Sequence, residues 1–142
     1  MAKAENNDNK KRIMVVDDEP DLISILEVVL EENGFKVETF DDPIAALKSY
    51  RAGVYDLMIL DIKMPKMDGF ELYDEIKKID DNAKVCFLTA SEMYYKSSRR
   101  EKYCSLDKNL FIQKPIANED LVQEINKILS SKSKQQISSL SF

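Results

Sequence analysis

Histidine is absent from this 142-residue chain. That excludes histidine-based acid–base catalysis, imidazole metal sites and self-phosphorylation on histidine. Cysteine is scarce. Cys86 and Cys104 have neither metal-ligand spacing nor the numbers for a disulfide framework, and Cys86 lies in an apolar run that suits a small buried thiol. No apolar run approaches bilayer-spanning length. The opening MAKAENNDNKKR is polar and lacks the apolar centre of a signal peptide, so the expected compartment is the cytoplasm. Basic excess is missing too. A net charge of -5 gives no support to a general nucleic-acid binder or an anionic-membrane binder.

What is present is a globular composition. Hydrophobic residues make up 44% and charged residues 33%, too apolar for a disordered chain and sized for one domain with one core. Residues 1–11 read as a disordered lead, 12–130 as the folded domain, and 131–142 as a loose, Ser-rich tail.

Short strands and helices alternate along that domain. RIMVV (12–16) and LMIL (57–60) are nearly continuous apolar runs, as strands covered on both faces require. KVETF (36–40), KVCFL (84–88) and LFIQ (110–113) add three more strands. Pro20 opens a first helix whose apolar residues Leu22, Ile25, Leu26 and Val29 follow one-face spacing, and Asn33-Gly34 closes it with a left-handed cap. Asp42-Pro43 caps a second helix expected to end near Gly53. A third spans 69–79, a fourth, poorly patterned, spans 91–106, and a fifth spans 118–129 with Leu121, Ile125 and Ile128 inward. The alternation predicts an α/β, doubly wound, five-stranded parallel sheet with helices on both faces.

In such a sheet the site lies beyond the carboxyl ends of the strands, where strand order reverses. With order 2-1-3-4-5, the first and third strands are neighbours there. Asp17 and Asp18 end one, and Asp61 ends the other. Either these acids simply face water or something positive binds between them. Three converging carboxylates, with no sulfur or imidazole beside them, favour Mg²⁺, which keeps several waters and accepts a phosphate oxygen. Thr89, at the end of the fourth strand, can donate its hydroxyl to an oxyanion. Lys114, at the end of the fifth, can neutralise one. The set suits an aspartyl phosphate.

The motifs MVVDDEPD, LMILDIKMPKMDGFEL, FLTAS and FIQKPI, in this order on successive strand ends, resemble the receiver domain of two-component response regulators. The resemblance implies a flavodoxin-like fold and a stand-alone phospho-switch. It implies Asp61 as the phosphoacceptor, served by a sensor histidine kinase's phosphohistidine. Asp18 would bind Mg²⁺ directly, Asp17 mostly through a water, and Lys63 through its backbone carbonyl. Lys114 would pair with Asp61 and then with the phosphoryl group. Thr89 would swing its hydroxyl to that group while Phe111 changes burial in concert, and the bond before Pro115 would be cis. Glu19 is expected to be a surface or outer-shell residue, and Met64-Pro65 and Asp68-Gly69 to be turn and cap chemistry.

Four alternatives bear on this reading. An aspartate-nucleophile phosphatase would place a second acid two residues past the nucleophile, where this chain has Lys63. A DNA-binding regulator needs a winged helix or helix-turn-helix, and nothing after Leu129 has that pattern. A degenerate scaffold would not keep the full acid, threonine and lysine set. An intermediate phosphoryl carrier in a multistep relay is the runner-up. The output surface is expected at 91–111, where KSSRREKY offers a basic face to a downstream protein.

Overall fold

Two strands form the centre of the sheet. β1 (Arg12–Val16) is buried from Ile13 onward, and β3 (Leu57–Asp61) is buried throughout. The computed structural model describes residues 10–89, 111–114 and 118–130, without the side chains of Thr89, Phe111 and Gln113. The expected helix over 91–106, Cys104, Pro115, the lead and the tail lie outside the described residues.

With β2 (Lys36–Phe40), β4 (Val85–Thr89) and β5 (Phe111–Gln113), the strands form one sheet in the order β2-β1-β3-β4-β5, as expected. Every pairing is parallel. Val16 aligns with Phe40 on one side and Leu60 on the other, Asp61 aligns with Leu88, and Thr89 aligns with Gln113. The carboxyl ends of all five strands therefore lie along one edge.

Successive residues of a strand face opposite sides, and the two cores follow from that. Met14, Val16, Met58 and Leu60 face α2 (Pro43–Ser49) and α3 (Gly69–Ile79), meeting Ala46, Leu72 and Ile76. Ile13, Val15, Leu57 and Ile59 face α1 (Pro20–Glu32) and the last described helix, α4 (Asn118–Ser130). There they meet Leu26, Leu30, Leu121 and Ile125. Each fully buried aliphatic side chain contributes roughly 1.5–3 kcal/mol relative to exposure. Cys86 is buried in this second core, as expected, and burial pushes its thiol up out of the reactive range.

The helix ends are set by local chemistry. Asp42 accepts a hydrogen bond from the Ile44 amide (3.1 Å), and Pro43 fills the first helical position. Asp68 and Glu71 form a reciprocal capping box at α3. Gly34 takes a left-handed φ of +92° after α1.

Two helix expectations need correction. The buried face of α1 is Ile23, Leu26, Val29 and Leu30, and Ile25 is 52% exposed. The run LISILEVVL is apolar over more than half its circumference, so periodicity alone does not fix which stripe turns inward. α2 ends at Ser49 rather than near Gly53. Tyr50 leaves the helix in an extended conformation, buries its ring, and donates its hydroxyl to Asp80 (2.6 Å).

Candidate functional site

The β1 ladder carries one residue past the strand, where the Asp17 amide donates to the Phe40 carbonyl (3.1 Å). This fixes the Asp17 backbone and drives its side chain into full burial. Asp61 is the final residue of β3 and is 5% exposed. Asp18 follows Asp17 in the loop and is exposed. One carboxylate oxygen from each of Asp17, Asp18 and Asp61 lies within 4.8 Å of the others. Two unit charges so placed repel by roughly 3 kcal/mol at an effective dielectric of 20.

Lys114, immediately after β5, reaches into this group. Its Nζ lies 3.0 Å from Asp17 Oδ2, 3.2 Å from Glu19 Oε1 and 3.4 Å from Asp61 Oδ1. Burial pulls the ammonium's pKa down, but Asp17 and Asp61 outweigh it and leave the pKa raised. One ammonium does not neutralise the acids. Burial first, then the charge of Asp17, pushes the Asp61 carboxyl up to about 7 against the opposing pull of Lys114. Asp17 is raised as well, chiefly by burial, although the Glu19 backbone amide and Lys114 oppose the shift.

Asp17 divides its two oxygens. Oδ1 accepts the Glu19 amide at 2.9 Å. Oδ2 is buried and lies 3.0 Å from the Lys114 ammonium as an ion pair, without a hydrogen-bond partner among the described residues. An orphaned buried carboxylate oxygen, two further carboxylates at hand and uncompensated negative charge fit a hard divalent cation bound through oxygen.

Neighbouring backbone supports the end of β3. The Ile62 amide donates to Leu88 (3.0 Å), and the Gly69 amide donates to Ile62 (2.8 Å), tying the start of α3 to the strand. Lys63 is exposed in the intervening loop. Thr89 closes β4 one register step beyond the Asp61–Leu88 pair, and Phe111 opens β5 opposite Phe87. The side chains of Thr89 and Phe111 are outside the described structure.

Asp17, Asp18, Asp61 and Lys114 thus come together as the sequence suggested. Two contributions were not read from the sequence. Glu19, expected at the surface or in an outer shell, takes a hydrogen bond from Lys114 although its own side chain is 63% exposed. Gly69 is more than cap chemistry, because a Cβ there would lie 2.3 Å from the Asp61 carbonyl oxygen. A glycine at the first position of a helix, where better helix formers are available, was the one sequence signal for that close approach.

The family profile of the response regulator receiver domain matches residues 13–126. The chain belongs to that family, whose members act in phosphorelay signalling, and its acidic pocket is of the type that forms their phosphorylation site. It is 32% identical over 122 residues to the transcriptional regulatory protein RprY of Bacteroides fragilis, covering 86% of this chain and 50% of RprY. It is 32% identical over 120 residues to PrrA of Mycobacterium tuberculosis, covering 83% of this chain and 49% of PrrA. The chain therefore spans about half the length of these curated relatives. Among solved structures, response regulator TrrA of Thermotoga maritima, in complex with Mg²⁺-BeF, is 34% identical with a TM-score of 0.68, covering 83% of this chain and 98% of that one. The non-phosphorylated HemR receiver domain of Leptospira biflexa is 28% identical with a TM-score of 0.73, covering 85% and 95%. Among the described residues, no helix is long and apolar enough to cross a membrane.

Proposed function

We propose that the unit 12–130 is a cytoplasmic phospho-switch in which Asp61 accepts a phosphoryl group from the phosphohistidine of a sensor kinase and, once modified, controls a protein partner. The observation that carries this reading is the placement of Asp61, whose buried carboxylate sits within 4.8 Å of two others and 3.4 Å from an ammonium. An Asp61 carboxylate oxygen attacks phosphorus. The new O–P bond forms as the P–N bond breaks, and the electron pair returns to the imidazole, whose other ring nitrogen carries a proton, so that it leaves as neutral imidazole. The chain promotes only its own phosphorylation and its own slow dephosphorylation.

Asp17, Asp18, Asp61 and the Lys63 backbone carbonyl would hold Mg²⁺. Bound there, the ion would offset the charge that gathers on the phosphoryl oxygens. TrrA binds Mg²⁺-BeF, a mimic of a metal-bound phosphoryl group, which supports carrying the same cofactor to this chain. Lys114 neutralises a phosphoryl oxygen, and Thr89 donates its hydroxyl to another. Phe111 follows Thr89, and the segment 91–111 carries the signal to the downstream protein.

Incubation with acetyl phosphate and Mg²⁺, followed by intact-mass measurement, tests this. One phosphoryl group should add to the wild type, and none should add to Asp61→Asn or in excess chelator. Equal labelling of Asp61→Asn would overturn the assignment.

A further inference from the structure

Lys114 stands among three carboxylates, and the one expected to react is the farthest. Its Nζ lies 3.0 Å from Asp17, 3.2 Å from Glu19 and 3.4 Å from Asp61, and its hydrogen bond goes to Glu19 Oε1. Glu19 occupies the N-cap position of α1 yet makes no side-chain cap. Caps favour shorter side chains. This longer one bypasses the helix end and reaches a lysine 95 residues away in sequence. Its backbone is fixed independently, because the Glu19 amide donates to Asp17 Oδ1 at 2.9 Å. Glu19 is thus held beside the site by its main chain and turned toward Lys114 by its side chain.

We propose that Glu19 is a positioning residue: it holds the Lys114 ammonium away from Asp61 in the unmodified protein, releases it when Asp61 is phosphorylated, and so limits the rate at which Asp61 is modified. The inference rests on the reading of Asp61 as the acceptor. Phosphorylation replaces the single negative charge of the Asp61 carboxylate with the nearly two of an acyl phosphate. Lys114 is 85% shielded from solvent and Asp17 is fully buried with its Oδ1 held by the Glu19 amide, so the contact that yields is the one with Glu19, whose side chain is 63% exposed and returns readily to water. An exposed ion pair of this kind is weak, which suits a tether that must let go. Removing it should quicken phosphorylation by about two- to fivefold, the range such weak pairs allow.

Glu19→Gln, which keeps the shape and removes the charge, tests this against wild type. Two quantities are measured: the rate of phosphorylation by phosphoramidate at saturating Mg²⁺, and the NMR resonances of the Lys114 Cε and Nζ. The variant should be modified faster. Its Lys114 resonances should differ from wild type in the unmodified protein and coincide with wild type once phosphorylated, a pattern that a general structural disturbance would not give. An equal or slower rate, or Lys114 resonances unaltered in the unmodified protein, overturns the inference while leaving Asp61 as acceptor. Failure of the wild type itself to take up a phosphoryl group overturns both.

Discussion

Gly69 lies against the backbone of Asp61 so closely that a Cβ at position 69 would fall 2.3 Å from the Asp61 carbonyl oxygen and 3.0 Å from the Ile62 Cα. The start of α3 is thereby docked on the end of the strand that carries the proposed acceptor. The atoms in the way are backbone, so no rotamer change relieves the contact. Gly69→Ala should destabilise the domain by about 1–3 kcal/mol through overpacking, read by urea denaturation. It should also slow labelling by acetyl phosphate, because the strand end must shift. Unchanged stability would mean that α3 can slide away at little cost.

Metal-free stability should depend on pH through Asp61. Its folded-state pKa is raised to about 7 from an ordinary 3.8, first by burial and then by Asp17. Below the ordinary value both folded and unfolded chains are protonated. Between roughly pH 4 and 7 the unfolded chain ionises while the folded one keeps its proton, so stability falls as pH rises. Asp61→Asn removes this loss. In chelator it should exceed wild type by roughly 1–3 kcal/mol at about pH 8 and by little near pH 4. Denaturant titrations of both proteins across that range check this, and parallel profiles would contradict it.

Mg²⁺ should reverse that difference. Added cation stabilises only the folded wild type, by mass action, so the wild-type Tm should climb with Mg²⁺ at about pH 8 while Asp61→Asn responds less. Asp18→Ala should weaken the Mg²⁺ response more than Asp17→Ala. Thermal unfolding at graded Mg²⁺ reads both effects. An identical response in wild type and all three variants would place the cation elsewhere.

Lys63 should lengthen the life of the phosphoryl group. It is exposed in the loop two residues past Asp61, where a long cation can lean over the modified carboxylate and shield it from water. Lys63→Asn should shorten the half-life of the phosphorylated form, followed by loss of intact-mass label after donor removal. An unchanged or longer half-life contradicts this role.

The far end of the sheet supplies a control. Asp80 accepts hydrogen bonds from the Tyr50 hydroxyl (2.6 Å), the Asn82 amide (3.1 Å) and the Gly53 amide (3.3 Å). Burial pushes the Asp80 carboxyl up, but these donors outweigh it and leave the pKa lowered. Tyr50→Phe should therefore cost about 1–2 kcal/mol and leave the labelling rate unchanged. A slowed rate would reveal coupling between the two ends of the sheet.

The sequence made the strand ends legible because β1 and β3 are apolar runs that stop at acids, and parallel order then places Asp17 and Asp61 side by side. Asp42 and Asp68 were legible as caps because capping is local. The inward stripe of α1 was not, since both the Leu22 and the Ile23 registers satisfy helical spacing and only the sheet decides. The end of α2 was hidden because Gly53 resembles a terminator, whereas the cause is Tyr50 reaching Asp80, 30 residues on. The partition of Lys114 between Asp17, Glu19 and Asp61 depends on differences of a few tenths of an ångström among residues distant in sequence. No local pattern encodes it.

The central claim is that the phosphoryl group is carried on Asp61, and the most direct measurement locates it chemically. Protein labelled with acetyl phosphate and Mg²⁺ is treated with borohydride, which reduces an aspartyl phosphate to homoserine, and the peptides are sequenced by mass spectrometry. The account predicts homoserine at position 61 in LMILDIKMPK and aspartate retained at positions 17 and 18. Homoserine at position 17 or 18, or a labelled protein with no homoserine at all, would contradict it.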